Sequence, residues 1–458
     1  MYTSMFVSVV LVFAVVTDTI GANAARPGPH VMKKPSATSL YFEWHFKGDA
    51  NQNARLNLEC RKKGEAEWRK LPPLKQKRPN SSGYDGVFSG ALSGLEATID
   101  YECRFVMADP DGIEGEAIRV VTAKTAGLHV FQPDPNMRAG DFSIREPVCR
   151  IGDGDTVVTK TWQWNLAVGP FQIEGAEPGD TLAVRLEVIE PESTGESGAS
   201  IQDWVVDPEF KKELPQGGCS HWTIDEKEGV ARLSKVEIDK VEEKTTLAGL
   251  PLPLQPMLGC LGTAVTDPPG KAVTVYTSGP NGGNLDCKGI VAGVTMYFPV
   301  FVPGGLFYLS DGHAIQGSGE ILMTGIECGM KKVQFTVWVE KGRKIGWPRG
   351  ENEDSIFTIG AAAPPLEQSL RCATTEMVRW LQEDYGLDKR SAGILLGMFV
   401  EYEVGNVVDP AWTMVCKMPK SILRRLEDKR GQTPLHLAVR AGQTPPQARS
   451  KGILTRRH

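Results

Sequence analysis

The sequence predicts a mainly β protein with α+β character: an N-terminal β-sandwich, then a larger β-rich domain closed by C-terminal helices. Three observations predict it. Short stretches of alternating apolar and polar residues recur between turn clusters over residues 26–126. Two glycine-rich polar clusters, GPNGGNLD (279–286) and SDGHAIQGSGE (310–320), bracket a strongly apolar, β-like run at 291–309. Past Pro364 the apolar spacing changes from two residues to three and four.

A chain of 458 residues is long enough for two or three domains. With 41% hydrophobic and 23% charged residues it can bury a sizeable core. The formal net charge of −5 advertises no basic face, which argues against nucleic-acid or anionic-lipid partners.

Residues 1–24 read as a signal peptide, with an apolar run at 5–16 that is short for a bilayer span. The run is followed by an Ala22-Asn23-Ala24 cleavage pattern. A secreted or otherwise extracytoplasmic protein without a membrane span is expected. Nine cysteines, at positions 60, 103, 149, 219, 260, 287, 328, 372 and 416, are too scattered for a metal knuckle or a dense disulfide scaffold.

Residues 26–126 carry candidate strands SLYFEWHF (39–46), ARLNLECRKK (54–63), DGVFSGAL (85–92), IDYECRFVMA (99–108) and AIRVVTAKT (117–125). Leu56, Leu58 and Cys60, and again Tyr101, Cys103 and Phe105, alternate with the period of two of a half-buried strand. Trp44, Trp68, and Leu95 with Tyr101 in LSGLEATIDYECRF (92–105), make the segment similar to a fibronectin type III domain. Such a module offers surface for a partner and no chemistry. Cys60 and Cys103 face inward on neighbouring strands, as a disulfide or as a buried free pair.

Pro133 and Pro135 favour an extended junction, and a second domain is assigned to 127–426. Its polar stretch 193–244 reads as irregular excursions from a β core. Leu366, Leu370, Ala373, Met377, Trp380, Leu381 and Tyr385 trace an amphipathic helix ended by Gly386. Asp388 caps a second helix, and TMVCKM (413–418) is a closing strand. The tail 427–458 contains TPLHLA, the start of an ankyrin-like repeat, which alone cannot bury its own apolar face.

No HExxH, paired CxxC or GxSxG motif is present. Candidate chemistry therefore rests on the glycine-rich clusters, whose turns gather Asn284, Asp286, Asp311, His313, Glu320 and Glu327. On spacing alone the favoured reading is two hairpin turns with solvated side chains. Cys328 adjoins Glu327 without a neighbouring histidine and reads as a buried thiol.

The stretch resembles the acetamidase/formamidase family, in the GGNLD (282–286) and SDGHAIQGSGE (310–320) segments. GPFQIEGAEPGDTLAVRLEVIEP (169–191), LPLQPMLGCLGTAV (252–265), IGWPRGENEDSIFTIGAA (345–362), TTEMVRWLQEDYGL (374–387) and VGNVVDPAWTMVCKMPKSIL (404–423) match in order as well.

The resemblance implies a homo-oligomeric amidase that converts a small aliphatic amide to carboxylate and ammonia. Carboxylates with one imidazole would suit a divalent metal, zinc foremost with calcium as the other candidate. His313, Asp311, Glu320 and Glu327 are then the expected catalytic residues. Asp286, Asp311 and His313 are the expected metal ligands, and Asn284 and Glu174 the substrate contacts. His313, Asp311 and Glu320 are expected to converge with Asp286 on a pocket lined by 291–309. Ser318 and Gln163 stand where the family carries acids. These departures, with the added β-sandwich, leave a second reading open, a binding protein on an amidase scaffold.

Overall fold

The structure, a computed structural model, describes residues 23–77, 84–215, 217–265 and 273–430. The signal-peptide reading thus falls almost entirely, and the ankyrin-like motif wholly, outside the described residues. No helix among them is long and apolar enough to cross a membrane.

Seven strands between Arg26 and Lys124 follow the order Arg26–Lys33, Ser39–Lys47, Gly86–Ser93, Arg69–Lys77, Arg55–Lys62, Asp100–Ala108, Ile118–Lys124. Alternate residues Leu40, Phe42, Trp44 and Phe46 face Leu56, Leu58, Tyr101, Cys103 and Phe105 in a core of their own. Phe42 and Phe105 stack with ring centroids 3.5 Å apart. Cys60 and Cys103 are register partners and both are free thiols; burial and the neighbouring sulfur push Cys103 up to about 12. Five of these strands match the sequence expectation. The two that escaped it carry Pro27 and Pro29, and Pro72 and Pro73, residues that argue against a strand because they lack the N–H donor. Arg26–Lys33 accommodates its prolines at the sheet edge, with a register shift between Pro27 and His30.

The remainder of the chain builds on a nine-stranded and a six-stranded sheet whose facing side chains share one core. The apolar run 291–309 is two strands and not one. Thr295–Pro299 lies in the nine-stranded sheet and Phe307–His313 in the six-stranded one, with the turn at Gly304 and Gly305 carrying the chain across.

The stretch 193–244 is more regular than the sequence suggests. Thr194–Gly198, Cys219–Asp225, Val230–Ile238 and Val241–Glu243 form an antiparallel sheet. Its buried face is Ser220, Trp222 and Ile224, so a small polar residue and a Trp break the apolar alternation that would have revealed it.

Helix Glu367–Tyr385 packs on strands Ser355–Ala362 and Trp412–Pro419. Gly360 permits the contact, since a Cβ there would collide with the helix backbone at Ser369 and Ala373. Gly386 closes the helix in the left-handed region, and Asp388 caps Lys389–Phe399 by accepting from Ser391 N at 3.0 Å. A third helix, Lys420–Arg430, follows the closing strand.

Candidate active site

Three strands and two loops assemble the site. Met257–Thr263 pairs with Phe307–His313 so that Met257 faces His313 and Cys260 faces Ser310, which sets Gly259 opposite Asp311. A Cβ at Gly259 would collide with both Asp286 Oδ1 and Asp311 Oδ2. Only glycine leaves room for two carboxylates to meet there. Glu327 forms an isolated bridge with His313 from the other side, and the turn at 317–320 brings Glu320 inward. Asp286, Asp311 and Glu320 all have positive φ, at 44°, 60° and 51°. Such backbone costs of order 1–3 kcal/mol per residue and persists where the surrounding structure enforces it.

His313 is 1% exposed and sits among carboxylates. Its Nε2 lies 2.9 Å from Glu327 Oε1 and 3.4 Å from Asp311 Oδ1, neither in line for a hydrogen bond. Its Nδ1 lies 2.7 Å from Gln316 Oε1, and Gln316 Nε2 donates to Asp286 O at 2.6 Å. Since that amide donates through nitrogen, its oxygen accepts, and His313 carries a hydrogen on Nδ1. Nε2 is thereby directed at the acids. On the far side Asn284 Nδ2 donates to Asp286 Oδ2 at 2.8 Å and to Asp409 Oδ2 at 2.7 Å. Asn165 Nδ2 donates to Asn284 Oδ1 at 2.7 Å, and Asn406 Nδ2 reaches Asp286 Oδ2 at 3.3 Å.

Packing these acids together out of water shifts their ionisation. Burial raises Asp286 well above its ordinary value, and Glu320, Asp311 and Asp409 push the same way. Glu320 is raised well above its own by burial against the pull of His313. Burial lifts Glu327 to about 7, again opposed by His313, and raises Asp409. Burial also acts upward on Asp311, but the positive charge of His313 outweighs it and holds Asp311 below the usual carboxylate range. The imidazole is raised well above 6.5; burial favours its neutral form, and Glu327 and Asp311 outweigh it.

The donor set suits a divalent cation. Asp286 Oδ1, Asp311 Oδ1, Glu327 Oε2 and His313 Nε2 are buried without a hydrogen-bond partner. Asp286, His313 and Glu320 offer ligand atoms within 4.8 Å of one another, and so do Asp311, His313 and Glu327. Carboxylate oxygens with one imidazole are ligands that a hard or borderline cation accepts.

Of the sequence-derived candidates, Asp286, Asp311, His313, Glu320, Glu327 and Asn284 come together. Asn284 is committed to Asp286, Asp409 and Asn165, which makes it a positioning residue with both amide hydrogens in use. Glu174 does not join them. It is exposed on the turn after Val168–Ile173, beyond the Phe307 end of Phe307–His313, with the acids at the opposite end. The run 291–309 is no lining either: Phe298, Phe307 and Leu309 fill the core between the sheets, while amides contact the acids. Buried carboxylates need polar partners, which an apolar wall would deny them. Ser318 is exposed and donates to Glu403 Oε1 at 3.3 Å, and Gln163 reaches Glu196 Oε2 and Glu327 O at 3.4 Å. Neither points into the carboxylate cluster. Asn165, Gln316, Asn406 and Asp409 escaped sequence reasoning, although the last three lie within motifs quoted above and Asn165 lies two residues past Gln163.

Residues 221–425 match the sequence model of the Acetamidase/Formamidase family. A putative formamidase of Schizosaccharomyces pombe is 29% identical over 193 residues, 34% of this chain and 47% of that protein. The chain thus spans about half the length of this curated relative. Among solved structures, an acetamidase from Bacillus halodurans is 28% identical, covering 65% of this chain and 99% of its own, with a TM-score of 0.55. A predicted acetamidase/formamidase from Thermoanaerobacter tengcongensis is 25% identical over 66% of this chain and 99% of its own, TM-score 0.55. An acetamidase from Yersinia enterocolitica is 25% identical over 66% and 94%, TM-score 0.56.

Proposed function

We propose, on the premise that residues 221–425 belong to the acetamidase/formamidase family, that this chain hydrolyses the C–N bond of short aliphatic amides such as formamide and acetamide. One observation carries the reading: His313 Nε2 and three carboxylate oxygens, all buried, lack hydrogen-bond partners and share one small space.

A divalent cation held by Asp286, Asp311 and His313 would supply a water acidic enough to attack a carbonyl near neutral pH. Zinc fits the imidazole-plus-carboxylate set best, with calcium the alternative where more oxygens engage. Glu327, with Oε1 2.9 Å from His313 Nε2, is the carboxylate placed beside that site for general acid–base work. It takes the proton as the water oxygen bonds to the carbonyl carbon, and returns it to nitrogen as the C–N bond breaks and ammonia leaves. Gln316 fixes the His313 ring, and Asn284 and Asn165 hold Asp286 and Asp409 in place. The binding-protein reading drew on Ser318, Gln163 and the added β-sandwich; of these, the Ser318 and Gln163 side chains turn to Glu403 and Glu196, outside the cluster.

The test is ammonia release from formamide and acetamide by the purified chain. Turnover is expected, and Glu327→Gln should lower it by ~10²–10⁴-fold, the usual worth of general acid–base help. Ammonia release no faster than the uncatalysed rate from folded, cation-loaded protein would overturn the proposal.

The same reading includes secretion with cleavage after Ala24, which would turn the main-chain nitrogen of Ala25 into an ammonium. That nitrogen already donates to Asp109 Oδ2 at 2.8 Å. The 26–126 unit is read as a fibronectin type III-like module offering a surface to a partner. Its Tyr101 hydroxyl accepts from Glu96 N at 2.9 Å, the pattern of a tyrosine corner. A homo-oligomer belongs to the same proposal.

A further inference from the structure

A second constellation of metal-binding side chains lies beside the segment that carries Glu327, and the amide chemistry does not use it. Strand Thr194–Gly198 pairs with Cys219–Asp225 so that Glu196 faces His221 and Gly198 faces Cys219. Strand Val230–Ile238 pairs on the other side, with Glu237 opposite Cys219 and Lys235 opposite His221. Residues two apart on a strand share a face, so Cys219 and His221 project together. Ser220, Trp222 and Ile224 take the opposite, buried face.

Glu196, Cys219 and His221 each offer a ligand atom, all within 4.8 Å of one another, and all three residues are half-buried. The two imidazole nitrogens are divided. Nε2 lies 2.9 Å from Glu237 Oε2, whose other oxygen accepts from Lys235 Nζ at 2.9 Å. Nδ1 lies 3.3 Å from Glu196 Oε1. A histidine whose outer nitrogen is held by a carboxylate has its ring orientation and tautomer fixed for ligation through the inner one. Gln163 Nε2, 3.4 Å from Glu196 Oε2, steadies the second carboxylate. Gly198 presents no side chain beside Cys219, and the main chain of Leu322 closes that end.

We propose that Glu196, Cys219 and His221 form a binding site for a zinc-class divalent cation, with His221 ligating through Nδ1, Glu237 orienting it, and water completing the shell. Imidazole, thiolate and carboxylate are all zinc donors, and a tetrahedral zinc sets its ligands roughly 3–4 Å apart, a small contraction from the observed grouping. Thiolate ligation releases the Cys219 proton to solvent. Glu196 and Cys219 lie outside the family-matched segment, so the site does not rest on the amidase reading. Glu196 is nonetheless joined to Glu327 by two main-chain hydrogen bonds, of 2.7 and 2.9 Å, so an occupied site would brace the segment that carries Glu327.

The site is tested by titrating the full chain with cobalt(II), whose ligation by a thiolate gives a charge-transfer band in the near ultraviolet. The carboxylate–His313 cluster offers cobalt no thiolate ligand, so the band reports Cys219. We expect the band in the parent and in His313→Ala, its loss in Cys219→Ser, and one fewer zinc bound by Cys219→Ser than by the parent. Glu237→Gln, a change at a partly exposed side chain that leaves the ligands intact, should weaken cobalt binding by about 10–100-fold. A band that survives in folded Cys219→Ser, or a Glu237→Gln titration that superimposes on the parent's, would overturn the site.

Discussion

At the scale of residues, the fate of five acids around one histidine decides the chemistry. Asp286, Glu320 and Glu327 are all raised by folding, so the folded state holds protons at these groups more tightly than the unfolded chain does. Their contribution to stability is therefore full below about pH 4, under the unfolded carboxyl values, and is lost as pH rises through the folded ones, about 7 for Glu327. His313, also raised, acts in the same direction at higher pH, while the lowered Asp311 opposes it on the acid side. Cation-free protein should show a urea midpoint that falls between pH 5 and pH 8, and a saturating divalent cation should reduce the fall. A midpoint that rises across that window would contradict this electrostatic picture. Ser318→Asp should leave ammonia release within about threefold of the parent, because the side chain faces Glu403 and not the cluster. A tenfold gain would show that this position reaches the site after all. Sequence found the acids because glycine-rich turns flagged them, and resemblance tied them together. It missed Asn165, Asn406 and Asp409 because their role lies in tertiary contacts with Asp286 and Asn284, to which nothing local points.

At the scale of elements, the long helix is fastened to its sheet by a buried ion pair. Arg349 and Glu376 are both fully buried; Arg349 Nε and Nη2 lie 2.8 and 2.7 Å from Glu376 Oε1, and Nη2 lies 2.9 Å from Glu383. The guanidinium also sits 5.2 Å from the Trp380 ring centroid. Removing one partner strands the other in a dry environment, so Glu376→Ala should cost about 3–5 kcal/mol, read as a lowered urea midpoint. A loss under about 1 kcal/mol would mean that water reaches Arg349. The helix itself was legible from its three- and four-residue spacing and from Gly386, and its neighbour from Asp388, since caps and periodicity are local signals. Strands Arg26–Lys33 and Arg69–Lys77 were not, because their prolines suppress strand propensity while sheet geometry tolerates them. The hairpin sheet after Ser193 was hidden for a different reason. One face of Cys219–Asp225 carries Cys219 and His221 in a charged setting, and the other begins with Ser220, so neither reads as an apolar stripe.

At the scale of the molecule, the strands of 26–124 have a core separate from the one between the two large sheets. The two parts touch where Trp338 Nε1 donates to Pro35 O at 3.2 Å and Ala37 N donates to Thr156 Oγ1 at 3.3 Å. These contacts lie on strands of the nine-stranded sheet, whereas His313 and Asp311 belong to the six-stranded one. The claim that unites the account is that a buried carboxylate–imidazole cluster holds a divalent cation and uses it on amides. The most direct measurement is metal content and ammonia release from formamide, followed in one preparation through chelation and reloading, with His313→Ala alongside. Turnover is expected to fall as the cation is removed and to return with it, and His313→Ala is expected to stay folded while losing turnover and binding one metal ion fewer than the parent. Unchanged ammonia release from protein stripped of metal, or from His313→Ala, would contradict the claim.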